Sequence, residues 1–277
     1  MLSRRLMEEG IVSSDDMLLP REVTREELLR VHSHEYLSRL ERGDMTAIEM
    51  RRIGLPWSAE LVHRARRSVG ATVEACIAAL SDGVAVSLSG GTHHAFSDRG
   101  EGFCLFNDVA VAARALQAAE RAERILVIDA DVHQGNGTAF IFRNDPTVFT
   151  FSLHGQNNFP FHKQTGDLDI PLADAAEDES YLKTLRQGLE IVSRRFEGDM
   201  AIYLAGADPY RDDRYGRMAL SKQGLAFRDR EVLSFCRGHR LPIAVTMAGG
   251  YAPNIADTVD IHAETVRIFQ DARRSGN

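Results

Sequence analysis

Asp129, Asp131 and His133 stand at alternate positions, and Asp208 follows a Gly-Ala pair further along the chain. While a backbone stays extended, side chains two apart leave the same face, so the first three can converge. Asp131, His133 and Asp208 would offer two carboxylate oxygens and one imidazole nitrogen. Three protein ligands and an open position for water form the pattern of a catalytic metal centre. Zn2+ fits that set, and its oxygen-rich character also suits Fe2+ or Co2+. A lone D-x-H also occurs where an aspartate caps a helix and a histidine fills a polar pocket, so the residues around it have to decide.

His93 and His94 come after Gly90 and Gly91, glycines that imply a backbone brought close to something. A histidine with a pKa of about 6.5 can take a proton from an activated water and pass it to a leaving amine, which is the proton traffic of amide hydrolysis. Tyr251 follows the pair Gly249 and Gly250, where a phenol could donate a hydrogen bond to a carbonyl oxygen as it gains charge. Phe103, beside Gly102, and Phe159, beside Pro160, lie in loop-like stretches and could wall a narrow apolar channel. Cys104 has no basic partner in sequence and reads as a small buried residue rather than a nucleophile.

Something must carry these groups to one place. Apolar runs rich in β-branched residues span Val84 to Ser89, Ile125 to Ala130, Thr147 to Leu153, Met200 to Ala205 and Pro242 to Ala248. Their weak alternation predicts parallel strands covered on both faces by crossover helices. Thr24 with Glu27 forms a capping-box pattern, Ser58, Asn107 and Asp178 occupy N-cap positions, and Met1 to Glu9 reads as helix. Open α/β sheets bind ligands beyond the carboxyl ends of their strands. Each of the five runs leads there into a chemical group: the histidine pair, the Asp-rich segment, Ser152 and His154, Asp208, and Tyr251.

Composition agrees with an enzyme of this kind. The 277 residues are 44% hydrophobic and 26% charged, as expected of a folded globular chain, and no linker or repeat divides them, so one domain over 1–277 is expected. A net charge of -7 opposes general attraction to nucleic acid and favours a cationic partner such as a lysine-bearing peptide or a polyamine. Cys76, Cys104 and Cys236 form no C-x-x-C pair and are expected to be reduced. No stretch approaches the roughly 20 apolar residues needed to cross a bilayer, and no basic-then-apolar export signal opens the chain, so a cytoplasmic location is expected.

The ordered motifs Gly90-Gly91-Thr92-His93-His94, Gly102-Phe103-Cys104-Leu105-Phe106-Asn107-Asp108, Asp129 to Thr138, Ala205-Gly206-Ala207-Asp208 and Ala248-Gly249-Gly250-Tyr251 resemble the histone deacetylase family. Ser97-Asp98-Arg99-Gly100, Asp213-Arg214 and Arg237 to Pro242 look closest to class IV members and their bacterial relatives. The resemblance runs from about residue 20 to about 265. It implies a three-layer arginase/deacetylase-like α/β fold with a central, mainly parallel sheet. It also implies one zinc ion at Asp131, His133 and Asp208, Tyr251 polarising the acyl carbonyl, His94 moving protons, and His93 as its electrostatic companion. By the same resemblance His93 would lean on Asp129 and His94 on Asn136, a neutral partner that should keep His94 less basic than an aspartate would. Asp129 and Ser152 match positions that help hold a monovalent cation, so K+ is an expected second ion. Tyr215 falls at a rim position where the family varies its preference. Gly135 and Tyr210 stand where related binuclear enzymes would need further carboxylates, which favours one metal.

Members of the family begin with a strand and a loop at the active-site mouth, and this sequence starts in the helix expected after that loop. A missing inner strand would leave a gap in the sheet with unpaired backbone groups. The function implied is hydrolysis of an amide between an acyl group and a lysine side chain. The alternatives are deacetylation of a small amine such as an acetylpolyamine, or an inactive truncated binder of acyl-lysine.

Overall fold

The computed structural model describes residues 1–275, so the last two positions of the expected 1–277 unit lie outside the described residues. Five α-helices come first: α1 (Leu2–Glu8), α2 (Arg25–Leu29), α3 (His34–Arg42), α4 (Ala47–Ile53) and α5 (Ala59–Asp82), with a 3-10 turn at Ser14–Asp16 between the first two. Strands and helices then alternate through β1 (Val84–Ser87), α6 (Asp108–Ala118), β2 (Ile125–Asp129), α7 (Asn136–Phe142) and β3 (Val148–Gly155). The chain continues through β4 (Leu168–Leu172), α8 (Asp178–Arg195), β5 (Met200–Ala205), α9 (Lys222–Gly238), β6 (Ile243–Met247) and α10 (Ile255–Ser275).

The six strands form one sheet in the order β1-β6-β5-β2-β3-β4, and every pairing is parallel. Alternate residues of the strands other than β4 feed two different cores. Ile128, Phe151 and Tyr203 pack with α8, α9 and α10 on one face, whereas Val127, Ile202 and Ala244 pack with α5 and α6 on the other. Two buried faces explain why the strands read as continuous apolar runs, since each fully buried aliphatic or aromatic side chain stabilises by about 1.5–3 kcal/mol whichever way it points.

β4 is the element that the sequence pattern misses. Its five residues include Asp169 and Pro171, it is only half buried, and it lies at an edge, where a proline costs no ladder hydrogen bond on the open side. The capping expectations hold for Thr24, whose side chain accepts from Glu27 N–H, and for Ser58 and Asn107. They fail by one residue at Asp178. Glu177 is the N-cap of α8, and the Asp178 carboxylate instead accepts from the backbone and hydroxyl of Ser221.

No inner gap interrupts the six strands. β1 is an edge strand, and beside it runs a groove of about 450 Å³ lined by Val84 to Ser89, α1, α5 and α10. The unpaired backbone groups expected beside an inner gap lie instead along β1, at the border of the sheet. Among the described residues no helix is long and apolar enough to cross a membrane.

Candidate metal centre and active site

All strands being parallel, their carboxyl ends share one border, and five of them deliver the residues singled out above. The means of delivery differs from the sequence expectation at one point. β2 ends at Asp129, and Asp131 and His133 lie in the bend that follows rather than alternating along a strand. The bend is fixed by short polar contacts: Asp131 N–H donates to Asp129 Oδ1 at 3.2 Å, and His133 N–H to Asp131 Oδ1 at 2.9 Å. Val132 N–H donates to Asp208 Oδ1 at 2.9 Å, tying this bend to the one after β5.

Asp131, His133 and Asp208 each present a ligand atom within 4.8 Å of the others. His133 Nδ1 is 2.9 Å from Asp131 Oδ1 and 3.2 Å from Asp208 Oδ2. Asp208 Oδ2 is buried yet accepts no conventional hydrogen bond, an arrangement that is costly unless a positive charge lies close by. Gly249 closes the other side: its N–H donates to Asp131 Oδ2 at 2.8 Å, and a Cβ there would fall 1.9 Å from Asp208 Oδ2. Burial raises the Asp208 carboxyl to about 7, helped by repulsion from Asp131. For His133 burial opposes protonation, but the Asp131 and Asp208 carboxylates beside its Nδ1 outweigh it and raise the ring to about 10. The cluster thus holds one positive charge against two carboxylates. The donor set and the bare oxygen fit a divalent cation, which would satisfy all three groups at once.

The adjacent histidines have unequal partners. His93 Nδ1 is 2.7 Å from Asp129 Oδ2, and His94 Nδ1 is 2.7 Å from Asn136 Oδ1. Burial lowers the basicity of both rings. For His93 the Asp129 and Asp131 carboxylates more than compensate and raise it to about 9, whereas His94, facing the charge of His93 and His133, falls well below the usual histidine range. The two rings lie 4.1 Å apart, and Phe159 meets the His94 ring edge-on at 4.9 Å.

A pocket of about 480 Å³ opens over these groups and is lined by Gly102, Phe103, Phe159, Tyr215 and Tyr251 among others. Gly102 and Phe103 both adopt positive φ, 54° and 66°, and a Cβ on Gly102 would fall 2.6 Å from the His94 ring. Tyr251 packs between Phe103 and Tyr215, at ring distances of 6.0 and 5.0 Å. Its backbone N–H is held by Asp213 at 2.5 Å. Burial together with the Asp131 and Asp208 charges pushes its phenol above the ordinary tyrosine range, so the hydroxyl keeps its proton.

The Histone deacetylase domain model matches residues 1–266. The chain belongs to the histone deacetylase family. An uncharacterized protein of Picosynechococcus sp. is 44% identical over 266 residues, covering 96% of this chain and 89% of that protein. Acetoin utilization protein AcuC of Bacillus subtilis is 34% identical over 220 residues, 72% of this chain and 57% of AcuC. Among solved structures, a histone deacetylase homolog complexed with SAHA superposes with a TM-score of 0.83 at 28% identity, covering 96% of this chain and 76% of that one. The homolog from Aquifex aeolicus gives 0.81 at 26%. These neighbours share the parallel sheet flanked by helices.

Ser152 lies opposite Asp129 in register, and its hydroxyl is 2.9 Å from Nδ1 of buried His154. Cys104 is buried, and burial pushes its thiol above the ordinary range, in line with a packing role. All three cysteines are free. Three positioning residues escaped the sequence reading. Glu101 accepts from Asn136 Nδ2 at 3.2 Å and so fixes which end of that amide meets His94. Lys163 Nζ holds the Phe159 loop through Asn158 O and Pro160 O. Arg228 reaches from α9 to the carbonyls of Ala130 and Gly206, beside the two bends that carry the aspartates. Only the Glu101 contact had a sequence cue, its place directly before Gly102-Phe103.

Proposed function

We propose that this deacetylase-family chain is a zinc-dependent amide hydrolase that removes an acyl group from lysine side chains of proteins, with residues 1–277 acting as one catalytic unit. The observation that carries the proposal is the bare Asp208 Oδ2, aimed with Asp131 and His133 at one point beneath an aromatic-lined pocket and beside two unequally partnered histidines. Asp131, His133 and Asp208 would hold the ion. When bound there, Zn2+ supplies Lewis acidity toward a water molecule and an acyl oxygen, and Fe2+ or Co2+ would do the same. K+ held near Asp129 and Ser152 would be a second, structural cation.

The protein's own groups supply the rest. His94 donates its Nδ1–H to Asn136, which leaves Nε2 as a free base; being neutral, it can take a proton from the attacking water and hand it to the lysine nitrogen as the amide breaks. His93, held cationic by Asp129, adds positive charge beside the same point. The Tyr251 hydroxyl, keeping its proton, donates to the acyl oxygen as charge grows there. Phe103, Phe159 and Tyr215 keep bulk water from the methylene chain of the lysine.

The test uses metal-stripped protein reloaded with zinc and offered acetyl- and longer acyl-lysine peptides alongside acetylpolyamines. Turnover should require the ion and be blocked by a hydroxamate, and Tyr251→Phe should lose about 10²–10³-fold in kcat while keeping its metal. Zinc-loaded protein that releases no acyl group from any member of the panel overturns the proposal.

A further inference from the structure

Charge is divided along this pocket in a way the reaction itself does not require. Its acidic lining residues, Asp131 and Asp208, are buried, and its arginines, Arg51, Arg52 and Arg217, are all exposed. Arg51 and Arg52 end α4, whose last turn is hooked to the channel wall: Gly102 N–H donates to Arg52 O at 3.2 Å and Phe103 N–H to Ile53 O at 2.7 Å. The backbone contact fixes the two guanidinium groups beside the lip. Neither side chain forms an ion pair or hydrogen bond among the described residues, in contrast to Arg21 with Glu27 or Arg114 with Asp145. Arg217 has one half-exposed contact, to Asp174 at 3.4 Å.

Cations suit the end of a helix, so α4 alone could account for Arg51 and Arg52. Arg217 comes from a different segment, after β5, and lines the same opening. Three cations at one mouth invert the sign of a chain whose net charge is -7.

From this we infer that the lip selects acylated lysines flanked by acidic residues, a substrate class that rests on the deacylase reading above. Guanidinium groups match carboxylates in planar geometry, and they would take peptide carboxylates that remain outside while the acyl-lysine enters. A carboxylate at the far end of the acyl group would instead enter towards the buried Asp131 and Asp208 carboxylates, away from the three guanidinium groups. A polyamine would bring like charge to the lip, so the local field outweighs the attraction that net charge suggested.

Single exposed ion pairs contribute little and are screened by salt, so the combined preference should be about tenfold at low ionic strength and shrink toward unity at about 0.5 M. Zinc-loaded protein is titrated with fluorescent acetyl-lysine peptides of one length, flanked by Glu, Gln or Lys, with binding read by anisotropy and hydrolysis read separately. The order Glu over Gln over Lys is expected, with acetylspermidine a poor competitor. Arg51→Glu/Arg52→Glu should reverse the order, whereas Lys183→Glu/Arg194→Glu, an equal charge change on exposed positions of α8, should preserve it. Equal affinities at low salt, a preference for Lys, or an order that survives the reversal overturns the inference. Charge-dependent binding without hydrolysis would sink the deacylase reading and leave this one standing.

Discussion

Two buried ionic clusters lie on either side of the same strand ends, and they are built on opposite principles. The first, Asp131, His133 and Asp208, has more acceptors than donors and leaves Asp208 Oδ2 bare. The second is closed. Arg228 pairs with Asp229 at 2.9 Å, and Asp229 also accepts from the hydroxyls of Tyr203 and Thr265, each at 2.6 Å. One guanidinium balances one carboxylate: its Nη1 hydrogens go to the carbonyls of Ala130 and Gly206, and Nη2, which completes no hydrogen bond, still lies 2.9 Å from the Asp229 carboxylate, so the closure is one of charge. A buried cluster with surplus negative charge is unstable without a ligand, whereas a balanced one is a brace. The brace holds the backbone just ahead of both aspartates, so the geometry of the open cluster depends on the closed one.

The largest effect expected from breaking this contrast is on the open cluster. Asp208→Asn keeps an oxygen for Val132 N–H and removes the charge. Losing one of three ligands should cost several kcal/mol of transition-state stabilisation, more than about 10³-fold in kcat/KM. Stability should move the other way. The folded Asp208 pKa, about 7, is above the unfolded value of 3.8, so its contribution is intact below 3.8 and is lost as pH rises through 7. Metal-free parent protein should therefore lose Tm relative to Asp208→Asn as pH rises from 5 to 8, the buried neutral histidines acting alike in both chains, and zinc should remove that loss. A parent Tm that does not fall relative to Asp208→Asn over this range would show that the cluster is not in surplus.

Removing Arg228 tests the brace. Arg228→Met leaves Asp229 buried without its cation, which costs about 3–5 kcal/mol and should lower Tm by about 10 °C. Zinc affinity, measured by competition with a chromophoric chelator at a temperature where the variant is folded, should also weaken by about 10–100-fold, as for other changes that disorient ligands from outside. Unchanged affinity would make the closed cluster a matter of stability alone.

The two clusters were unequally legible in sequence for a physical reason. Asp131, His133, Asp208 and Tyr251 follow apolar runs, and in a parallel sheet every such position maps to one border, so order along the chain was enough to group them. Asp129 with His93 and Asn136 with His94 came from the family resemblance, and the structure pairs each at 2.7 Å. Arg228 and Asp229 sit mid-helix with Arg230 and Glu231 directly after them, and a run of adjacent charges on a helix usually means a solvated face. Nothing local marks one Arg-Asp pair as buried. β4 was missed for a related reason: an edge strand buries too little to need an apolar run. The bend that carries Asp131 and His133 reads as extended because residues two apart converge on one face of an extended backbone, although side chains rather than a neighbouring strand hold it.

A smaller effect, in a region away from both clusters, comes from His32. It is buried, its Nδ1–H donates to Phe96 O at 2.9 Å, and its Nε2 accepts from Asn107 N–H at the start of α6. Burial lowers its pKa from 6.5 to about 4, so the fold cannot share the proton that the unfolded chain takes up below 6.5. Stability is intact above 6.5 and declines as pH falls toward 4, by about 3 kcal/mol in all. His32→Gln should start less stable at pH 7 and lose about one proton's worth of slope between pH 6 and 4.5 in urea titrations. An unchanged slope would place the acid sensitivity elsewhere, in His262 for instance, which burial likewise lowers to about 4.

The subtlest change returns to the open cluster. Asn136→Asp replaces the neutral partner of His94 with a carboxylate, so both histidines would have the arrangement that now distinguishes His93. An opposite charge at hydrogen-bond distance raises a histidine pKa by about 1–3 units, which in this ring offsets part of the lowering due to burial. His94 must be neutral to accept a proton, so the acid limb of the kcat/KM profile should move to higher pH by about one unit or more, with a loss of about tenfold at the acidic end. The new carboxylate would also face Glu101, 3.2 Å from the present amide nitrogen, so Glu101→Gln in the same chain should relieve that repulsion and enlarge the shift. A limb that stays where it is in both variants would mean that another group limits the reaction at low pH and that the inequality of the two histidines has no catalytic consequence.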